Sequence, residues 1–474
     1  MALRPLALFL LAYSVAAAQG DVQFQGSLRT RFEGWDWFGA AEGSRYAYSG
    51  SILRFGLAQQ RQAYDWQLEF AAPLLLGLPD DALAAAPRLQ LGLGGNYFAA
   101  NDRHRNAAMI FPKQAFIRFK KVLGDTSTLR LGRFEFNDGT EVTPKDATLA
   151  ALKRDRVAQR LIGAFAWTHV GRSFDGLHFA HQRGNVTYTF VGARPTRGVF
   201  QVDGWGQLDV AFGYASATGQ LPGKRHNGEW RLFGIYYHDW RDVLKTDSRP
   251  PAVRSTDRAN IRIGSFGGHY LHSAATGSGT VELLLWGLGQ TGRWGRLDHR
   301  GASFAGEAGW QPAGLPRLKP WIRGGYHRSS GDGDPNDNQH GTFFQLLPTP
   351  RPFARFPFFD LVNNEDVFGA LILRPHKALT LRGEVHGLRL SDRNDLWYLG
   401  GGAFQPWSFG YIGRPSSGRR GLATLYDVSA DWNVSASTSV TLYYGHAAGR
   451  RVLESIYPES KNGNFGYVEL TRRF

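Results

Sequence analysis

Arginine is the residue type in this chain whose number and placement point to binding chemistry. The 474 residues include 55 basic side chains, of which only 10 are Lys and 45 are Arg, and the formal net charge is +15. A guanidinium group binds a carboxylate or phosphate through two parallel hydrogen bonds, whereas an ammonium group acts as a point charge. The excess of Arg over Lys therefore indicates an anionic ligand.

Catalytic groups at a useful spacing are scarce. The best combinations are His386 with Ser391 and His178 with Asp175, which would give a His a nucleophile or an acid. Neither combination belongs to a recognisable motif. We predict that the chain is not an enzyme and uses no cofactor, and a lipid hydrolase is the catalytic alternative.

A set of oxygen ligands lies in residues 331–337, where Asp332, Asp334 and Asp337 are interleaved with Gly, Pro and Asn. Carboxylates at such spacing are typical of calcium loops. No Glu follows at the twelfth position of the loop, so the segment is predicted as an extracellular turn, with a calcium site as the alternative.

The elements that would position these side chains are β-strands. From residue 22 to residue 33 an apolar face that includes Val22, Phe24 and Phe32 alternates with a polar face that carries Arg29 and Arg31. About eleven residues with period two is the length of a tilted membrane-spanning strand. The same period recurs at 64–70, 115–120, 186–190, 261–263, 379–386 and 424–432.

Composition excludes a helical membrane protein, because no apolar run beyond the first twenty residues reaches the about 20 residues that a helical span needs. Residues 1–18 are predicted as a secretory signal peptide, with Arg4 before an apolar core and Ala16-Ala17-Ala18 as the cleavage site. The chain contains no Cys, which excludes disulfides and thiolate metal sites and suits an exported protein.

Three features favour a membrane barrel over a soluble sandwich. The strands number about 18, an even count as in bacterial single-chain barrels. The chain ends on Phe474 after an apolar face of Gly466, Val468 and Leu470. Aromatic residues cluster at strand ends as an interfacial girdle would, namely Trp35, Trp37, Trp66, Tyr97, Trp230, Tyr236, Trp286, Trp310, Trp321, Trp397 and Trp432.

The predicted fold class is therefore all-β, a transmembrane antiparallel β-barrel of about 18 strands with long extracellular loops. Residues 19–474 are predicted to form this single outer-membrane domain. Long connections are predicted at 72–113, 140–170, 327–365 and 389–421, and they are candidates for lids. In the second of them, Thr143 as N-cap and Pro144 at the first helical position predict a short helix. A surface helix and a loop folded into the lumen both remain open.

Two groups of motifs resemble one known family. The first comprises L-R-L-G-R-F-E-F-N-D-G at 129–139, R-L-I-G at 160–163 with Trp167, and G-R-S-F-D-G at 171–176. The second comprises the Asp/Gly-rich segment 330–337, then Thr342-Phe343 and Pro348-Thr349. This ordered set resembles the alginate export family, outer-membrane barrels that pass acidic polysaccharide, across essentially the whole mature chain. The resemblance adds Arg133 and Arg172, which sit in the motifs, to the residues expected to contact substrate.

The expected function depends on the side chains that face the lumen. Strand alternation points eight Arg inward, together with acidic residues that would hold them in place, and rings of Arg favour anions. The inward Arg are Arg29, Arg31, Arg54, Arg118, Arg130, Arg262, Arg323 and Arg382, and the supporting acids are Glu69, Glu135, Asp175 and Glu384.

We expect a bacterial outer-membrane channel that conducts an alginate-like polyuronate by passive diffusion. The expected partners are the anionic polysaccharide, outer-membrane lipid and, as the resemblance implies, periplasmic export or biosynthesis proteins. Nucleic acid is not an expected partner, since a signal peptide removes the chain from it. Uptake of small anions or sugar acids is the alternative, because it shares fold, charge and location.

Overall fold

The structure is a computed structural model that describes residues 20–39, 43–351, 353–358 and 360–474. The predicted signal peptide at 1–18 lies outside the described residues. Nearly all of the regular structure in the described ranges is β-strand.

The barrel and its attached strands follow one another along the chain with long and short connections in alternation. The strands are β1 (Val22–Asp36), β2 (Arg45–Gln60), β3 (Tyr64–Leu76), β4 (Ala107–Ala108), β5 (Phe111–Lys120), β6 (Ser127–Phe134), β7 (Phe174–Arg183), β8 (Val186–Pro195), β9 (Val210–Leu221), β10 (His226–Asp239), β11 (Ile261–Thr276), β12 (Gly279–Trp294), β13 (Leu297–Pro312), β14 (Trp321–Ser329), β15 (Gln339–His340), β16 (Asn364–His376), β17 (Leu379–Leu390), β18 (Trp397–Gly400), β19 (Tyr411–Arg414), β20 (Gly421–Asn433), β21 (Thr438–Gly449) and β22 (Gly463–Arg473).

Eighteen of these strands close into a barrel, and each pairs antiparallel with its neighbours. Closure is made by β1, which pairs with β2 on one side and with the last strand, β22, on the other; Arg29 lies opposite Ile52 and Thr471. The two-residue strands β4 and β15 attach to this sheet, and β18 and β19 form a separate hairpin. The predicted fold class and strand number are confirmed.

The helices are short and lie in the connections. They are α1 (Gly92–Ala100), α2 (Ala147–Leu152), α3 (Pro251–Arg254) and α4 (Arg451–Ile456), and a π-helical turn at Lys153–Val157 continues α2. A helix was predicted in this region with Thr143 as its N-cap, and that start is wrong. Asp146 is the cap, and its carboxylate accepts a hydrogen bond from the Leu149 amide at 2.9 Å.

None of the helices in the described part of the chain is long and apolar enough to cross a membrane.

The two ends of the barrel differ in the length of their connections. At one end the strands are joined by short turns, such as 184–185 and 277–278. At the other end the connections run over 77–110, 135–173, 196–209, 240–260, 330–363 and 391–420. Outer-membrane barrels have short periplasmic turns and long extracellular loops, so the long connections mark the extracellular end. The four predicted long connections are confirmed, and 196–209 and 240–260 were missed.

The outer surface carries the apolar band that strand alternation predicted. On β1 the side chains of Phe24, Leu28 and Phe32 are exposed, and on β20 those of Val428 and Trp432 are exposed. Phe474 closes the band: its backbone exchanges hydrogen bonds with Gly26, and its ring stacks on Phe24 at a centroid distance of 6.1 Å.

The aromatic girdle is only partly formed. Tyr236, Trp310 and Trp432 are exposed on the outer face. Six of the predicted girdle residues are instead buried inside, namely Trp35, Trp37, Tyr97, Trp286, Trp321 and Trp397. They are buried because folded loops occupy the barrel interior and give these aromatic side chains partners to pack against. Trp321, at the periplasmic start of β14, packs with Ala151 of the connection 135–173.

Two long connections meet inside the barrel. Residues 159–165 of one and 345–349 of the other run side by side: the Gly163 amide donates to the Leu347 carbonyl at 2.8 Å, and the Leu347 amide donates to the Leu161 carbonyl at 2.8 Å. Leu161, Ile162 and Leu347 are fully buried. Of the two alternatives for the segment 140–170, the structure shows the loop folded into the lumen.

Candidate substrate pathway in the barrel lumen

A basic cavity of about 340 Å³ lies in the lumen on the periplasmic side of the inserted loop. Residues next to the periplasmic turns, such as Arg473, line its periplasmic end. Thr168 and Val170 of the connection 135–173 line its extracellular end. Its walls carry Arg29, Arg54, Lys113, Glu135 and Glu469. Four cations against two carboxylates give the cavity a net positive charge.

Arg29 and Arg31 connect the barrel wall to the inserted loop. Arg29 lies 3.7 Å from Glu469 and donates to the carbonyls of Ala166 and Thr168. Arg31 is completely buried, pairs with Glu469 at 2.6 Å and lies 4.4 Å from the ring centroid of Trp167. Both predicted inward orientations are correct, and both side chains also hold the loop in place.

Arg54 forms the centre of a mixed ion-pair group on the same wall. It pairs with Glu69 and, at 2.9 Å, with Glu135. Lys113 lies 3.6 Å from the other oxygen of Glu135. The two acids predicted to support Arg side chains here do contact them, so the charge of Arg54 is compensated by its neighbours.

Arg130 stands out among the inward Arg because it forms no ion pair within the described ranges. Its guanidinium lies 4.9 Å from the ring centroid of Phe116 and 5.4 Å from that of Phe134. Its neighbour across the strand pair is Arg118, which is itself bound to Asp65. Arg130 therefore presents an uncompensated positive charge held by aromatic faces.

Arg323 and Arg382 point inward as predicted, on β14 and β17. Arg323 pairs with Glu282 at 3.0 Å and with Glu307 at 2.9 Å. Arg382 lies 3.7 Å from Glu384, the predicted supporting acid, and 3.5 Å from Asp155 of the inserted loop. These two Arg belong to the network that fixes the loop.

Arg133, Asp175 and Arg172 do not line the pathway. Arg133 and Asp175 form a bidentate pair at 2.7 and 2.8 Å, on the strand face that carries the exposed Leu131 and Leu177, and residues 204–205 cover the pair. Arg172 is buried and donates to the carbonyls of Gly401 and Ala403. The motif residues thus fasten loops to the barrel instead of facing a solute.

The inward assignment of Arg262 is wrong. Ile261 and Ile263 are buried, whereas Arg262 is exposed on the same outer face as Phe266. The reason is that inward positions in the extracellular half pack against inserted loops and are apolar, while outward positions above the bilayer band are polar. At this strand end the inward residues are therefore apolar and the outward residues polar, which reverses the pattern that the strand has within the membrane.

Comparison with known proteins gives the family. The family model described as Alginate export matches residues 20–450. The chain belongs to the alginate export family. No curated protein matches the chain.

Solved structures with a similar fold are outer-membrane porins of low sequence identity. They include OpdK of Pseudomonas aeruginosa (11% identity, TM-score 0.57, covering 96% of this chain and 99% of that chain), OccAB2 of Acinetobacter baumannii (8%, 0.59, 96% and 98%) and a BenF-like porin of Pseudomonas fluorescens Pf-5 (9%, 0.57, 96% and 98%). Family and fold together make this alginate export family member a channel-type barrel of the bacterial outer membrane.

The catalytic combinations considered from the sequence do not assemble. His178 contacts the rings of Phe134 and Phe136 inside the barrel, whereas Asp175 is bound to Arg133 on the other strand face. His386 pairs with Asp366 at 2.9 Å.

Nor do Asp332, Asp334 and Asp337 converge on one point. Asp332 accepts from Ser248, and the other two cap local turns at Asn336 and Gln339. Among the described residues the group with suitable metal ligands is Glu384, His386 and Asp427, whose donor atoms lie within 4.8 Å of one another. The calcium interpretation of 331–337 is therefore wrong.

Sequence reasoning missed several functional side chains in this family member. Lys113 reaches the cavity because the pairing of β3 with β5 shifts register between Glu69 and Phe70, which breaks strict alternation. Arg156 and Arg160 enter the lumen on the inserted loop, where strand alternation gives no information. Their spacing of four residues, in a segment that the sequence predicted as helical, was the one available signal.

Proposed function

We propose that this protein conducts an anionic polysaccharide, an alginate-like polyuronate, through its lumen by passive diffusion. The observation that carries the proposal is the unpaired Arg130, together with the basic cavity lined by Arg29, Arg54 and Lys113. A uronate carboxylate is an anion of the kind that a guanidinium binds best. The export direction rests on family membership.

Conduction of a polyanion needs many weak sites, because a chain that binds one site tightly cannot leave it. Most inward Arg here form an ion pair with a carboxylate, as Arg54 does with Glu69 and Glu135. A passing carboxylate would compete with these acids for the guanidinium. Such exchange gives repeated weak contacts along the wall, and it requires no catalytic group.

The inserted loops must move for a polymer to pass. Residues 159–165 and 345–349 cross the interior and are joined by backbone hydrogen bonds. The polar contacts that help to fix them, ion pairs and hydrogen bonds, can re-form with solute or water. We infer that the connection 135–173 acts as the gate, and that periplasmic proteins deliver the polymer to the cavity beneath it.

Uptake of a small anion or sugar acid is the second candidate, and the loops that cross the lumen favour it. A barrel narrowed in this way can admit a small solute with less loop movement than a polymer requires. One structural neighbour, OpdK of Pseudomonas aeruginosa, has been crystallised with vanillate, which is an aromatic acid.

Planar-bilayer recordings of the full-length protein test the proposal. The expected result is an anion-selective current that oligouronates block, with stronger block by longer oligomers because they span more sites. Block by a uronate monomer alone, with no gain from added length, would favour the small-anion porin. A non-selective current that no uronate blocks would contradict both candidates.

A further inference from the structure

An arginine cluster on the outside of the barrel surrounds one glutamate. Glu365 of β16 accepts from Arg389 and, at 2.6 Å, from Arg420, and it lies 3.6 Å from Arg328. The Glu365 side chain is only 3% exposed, whereas those of Arg328, Arg389 and Arg420 are 51%, 55% and 41% exposed. Three guanidiniums share one carboxylate, so the cluster keeps two positive charges.

The cluster lies on the lipid side of the wall at the extracellular rim. Glu365 has the same parity on β16 as Val367 and Leu371, which are exposed on the apolar outer band. Arg328 is on the face of β14 that carries exposed Ile322. All these residues sit at the strand ends that lead into the long extracellular connections. The cluster is therefore at the level of the outer-leaflet head groups.

Further Arg extend the cluster along the rim. Arg262, Arg293 and Arg300 are exposed and have the outward parity on β11, β12 and β13, the strands that precede β14 in the sheet. Arg293 pairs with Asp298 at 2.8 Å. Arg262 lies directly opposite Arg293 in the register of β11 and β12, so basic side chains continue beyond the cluster along the extracellular rim.

Phosphate is the anion that this geometry fits. Guanidiniums bind phosphate oxygens in bidentate fashion, and they do so more strongly at a membrane interface than in bulk water. Glu365 orients the three side chains and leaves their remaining N–H groups facing outward. We propose that Arg328, Arg389 and Arg420 bind the phosphorylated head group of an outer-leaflet glycolipid. This site is separate from the lumen and does not depend on which solute crosses it.

Native mass spectrometry of the full-length protein in detergent tests this site. The probes are a bis-phosphorylated glucosamine glycolipid, its dephosphorylated form and inorganic phosphate. The test variant combines Arg328→Ala, Arg389→Ala and Arg420→Ala with Glu365→Gln, so that no buried carboxylate is left unpaired. The matched control is Arg225→Ala with Arg317→Ala, which removes two exposed Arg at periplasmic turns.

We expect the wild-type protein and the control to retain the phosphorylated glycolipid equally. The test variant should bind it roughly 10- to 100-fold more weakly, since several charge-assisted hydrogen bonds are lost. Glu365→Gln alone, which keeps all three Arg, should bind at least as tightly as wild type, and this variant separates loss of the site from loss of folding.

Three outcomes would overturn the assignment. They are equal retention by the test variant, equal binding of the dephosphorylated glycolipid, and displacement of the glycolipid by an equimolar amount of inorganic phosphate. The last outcome would mean that the cluster recognises free phosphate and not a lipid.

Discussion

Arg130 differs from every other inward Arg predicted from the sequence in having aromatic rings in place of a carboxylate. Arg54, Arg323 and Arg382 each have at least one acidic partner, so their positive charge is largely compensated within the protein. A buried charge without a partner costs free energy, and it persists in proteins chiefly where it serves binding. We therefore propose that Arg130 makes the main contact with the solute.

Replacing Arg130 with Ala should lower the anion-to-cation permeability ratio. The expected reduction is roughly 2- to 5-fold, the factor that about 0.5–1 kcal/mol of lost attraction produces. Reversal potentials in asymmetric salt measure it. Arg262→Ala is the control, since it removes an Arg from the outer face, and an equal reduction in both variants would refute a lumenal role for Arg130.

At the scale of elements, the inserted loop is held by a carboxylate on the barrel wall. Glu307 of β13 binds Arg156 at 2.8 Å and Arg160 at 3.2 Å, both from the loop, as well as Arg323 of the neighbouring strand. Glu307 is buried, so loss of its charge leaves three guanidiniums without their shared partner.

Glu307→Gln should loosen the loop and raise single-channel conductance. Removing one partner from a buried ion pair costs about 3–5 kcal/mol, which weakens the attachment of the loop to the barrel wall. Protease cleavage within 140–160 should accelerate in parallel. Glu282→Gln is the matched control, because the partners of Glu282 among the described residues are Trp321 and Arg323 of the wall. The same conductance change there would argue against Glu307 as the contact that holds the loop.

The loops also contain carboxyl groups whose protonation should favour the inserted state. Burial raises the pKa of Asp360 to about 8 and the pKa of Asp395 to about 6. Asp395 accepts hydrogen bonds from Thr342 and Tyr398 and so joins two long connections. In a released, hydrated loop both groups would return to a pKa of about 3.9.

Conductance should therefore fall as the pH is lowered from 8 to 5. The pKa values in the inserted state are raised, so this state binds protons more readily and is stabilised as the pH drops through about 8 and about 6. Recordings across this pH range measure the effect. The double variant Asp360→Asn and Asp395→Asn should show a weaker dependence of conductance on pH. An undiminished pH dependence in that variant would mean that other groups cause it.

At the scale of the whole molecule, the two faces of the crossing loops are chemically different. The basic cavity lies on the periplasmic side, next to the short turns, and Arg29 and Arg54 face it. The extracellular side is filled by loop residues that form one large apolar core with the strand ends. A polyanion that arrives from the periplasm therefore meets positive charge first.

Block by a uronate oligomer should consequently be asymmetric. Half-maximal block from the periplasmic side is expected at roughly one-tenth of the concentration needed from the extracellular side, because a basic vestibule concentrates anions. Cleavage of the long loops by an added protease reports the orientation of the inserted channel. Equal block from both sides would contradict a periplasmic entry site and favour the small-anion porin.

Strand alternation by itself determined the barrel, its strand number and the orientation of seven of the eight Arg assigned from it. These predictions succeed because a membrane wall imposes an apolar face at every second residue, which is a local rule. The same rule placed Glu69 and Glu135 on the lumenal face, where both contact Arg54. The four predicted long connections were located from their Gly, Pro, Asn and Asp content.

Tertiary structure alone decided which side chains meet in the interior. Arg262 faces outward because loops from elsewhere in the chain fill the lumen beside Ile261 and Ile263, and no local pattern encodes that filling. Arg133 and Arg172 fasten loops for the same reason, since the loop carbonyls that they bind lie about 70 and about 230 residues away along the chain. A strand pattern specifies the wall, whereas the contents of the lumen depend on long-range contacts that form only once the barrel has closed.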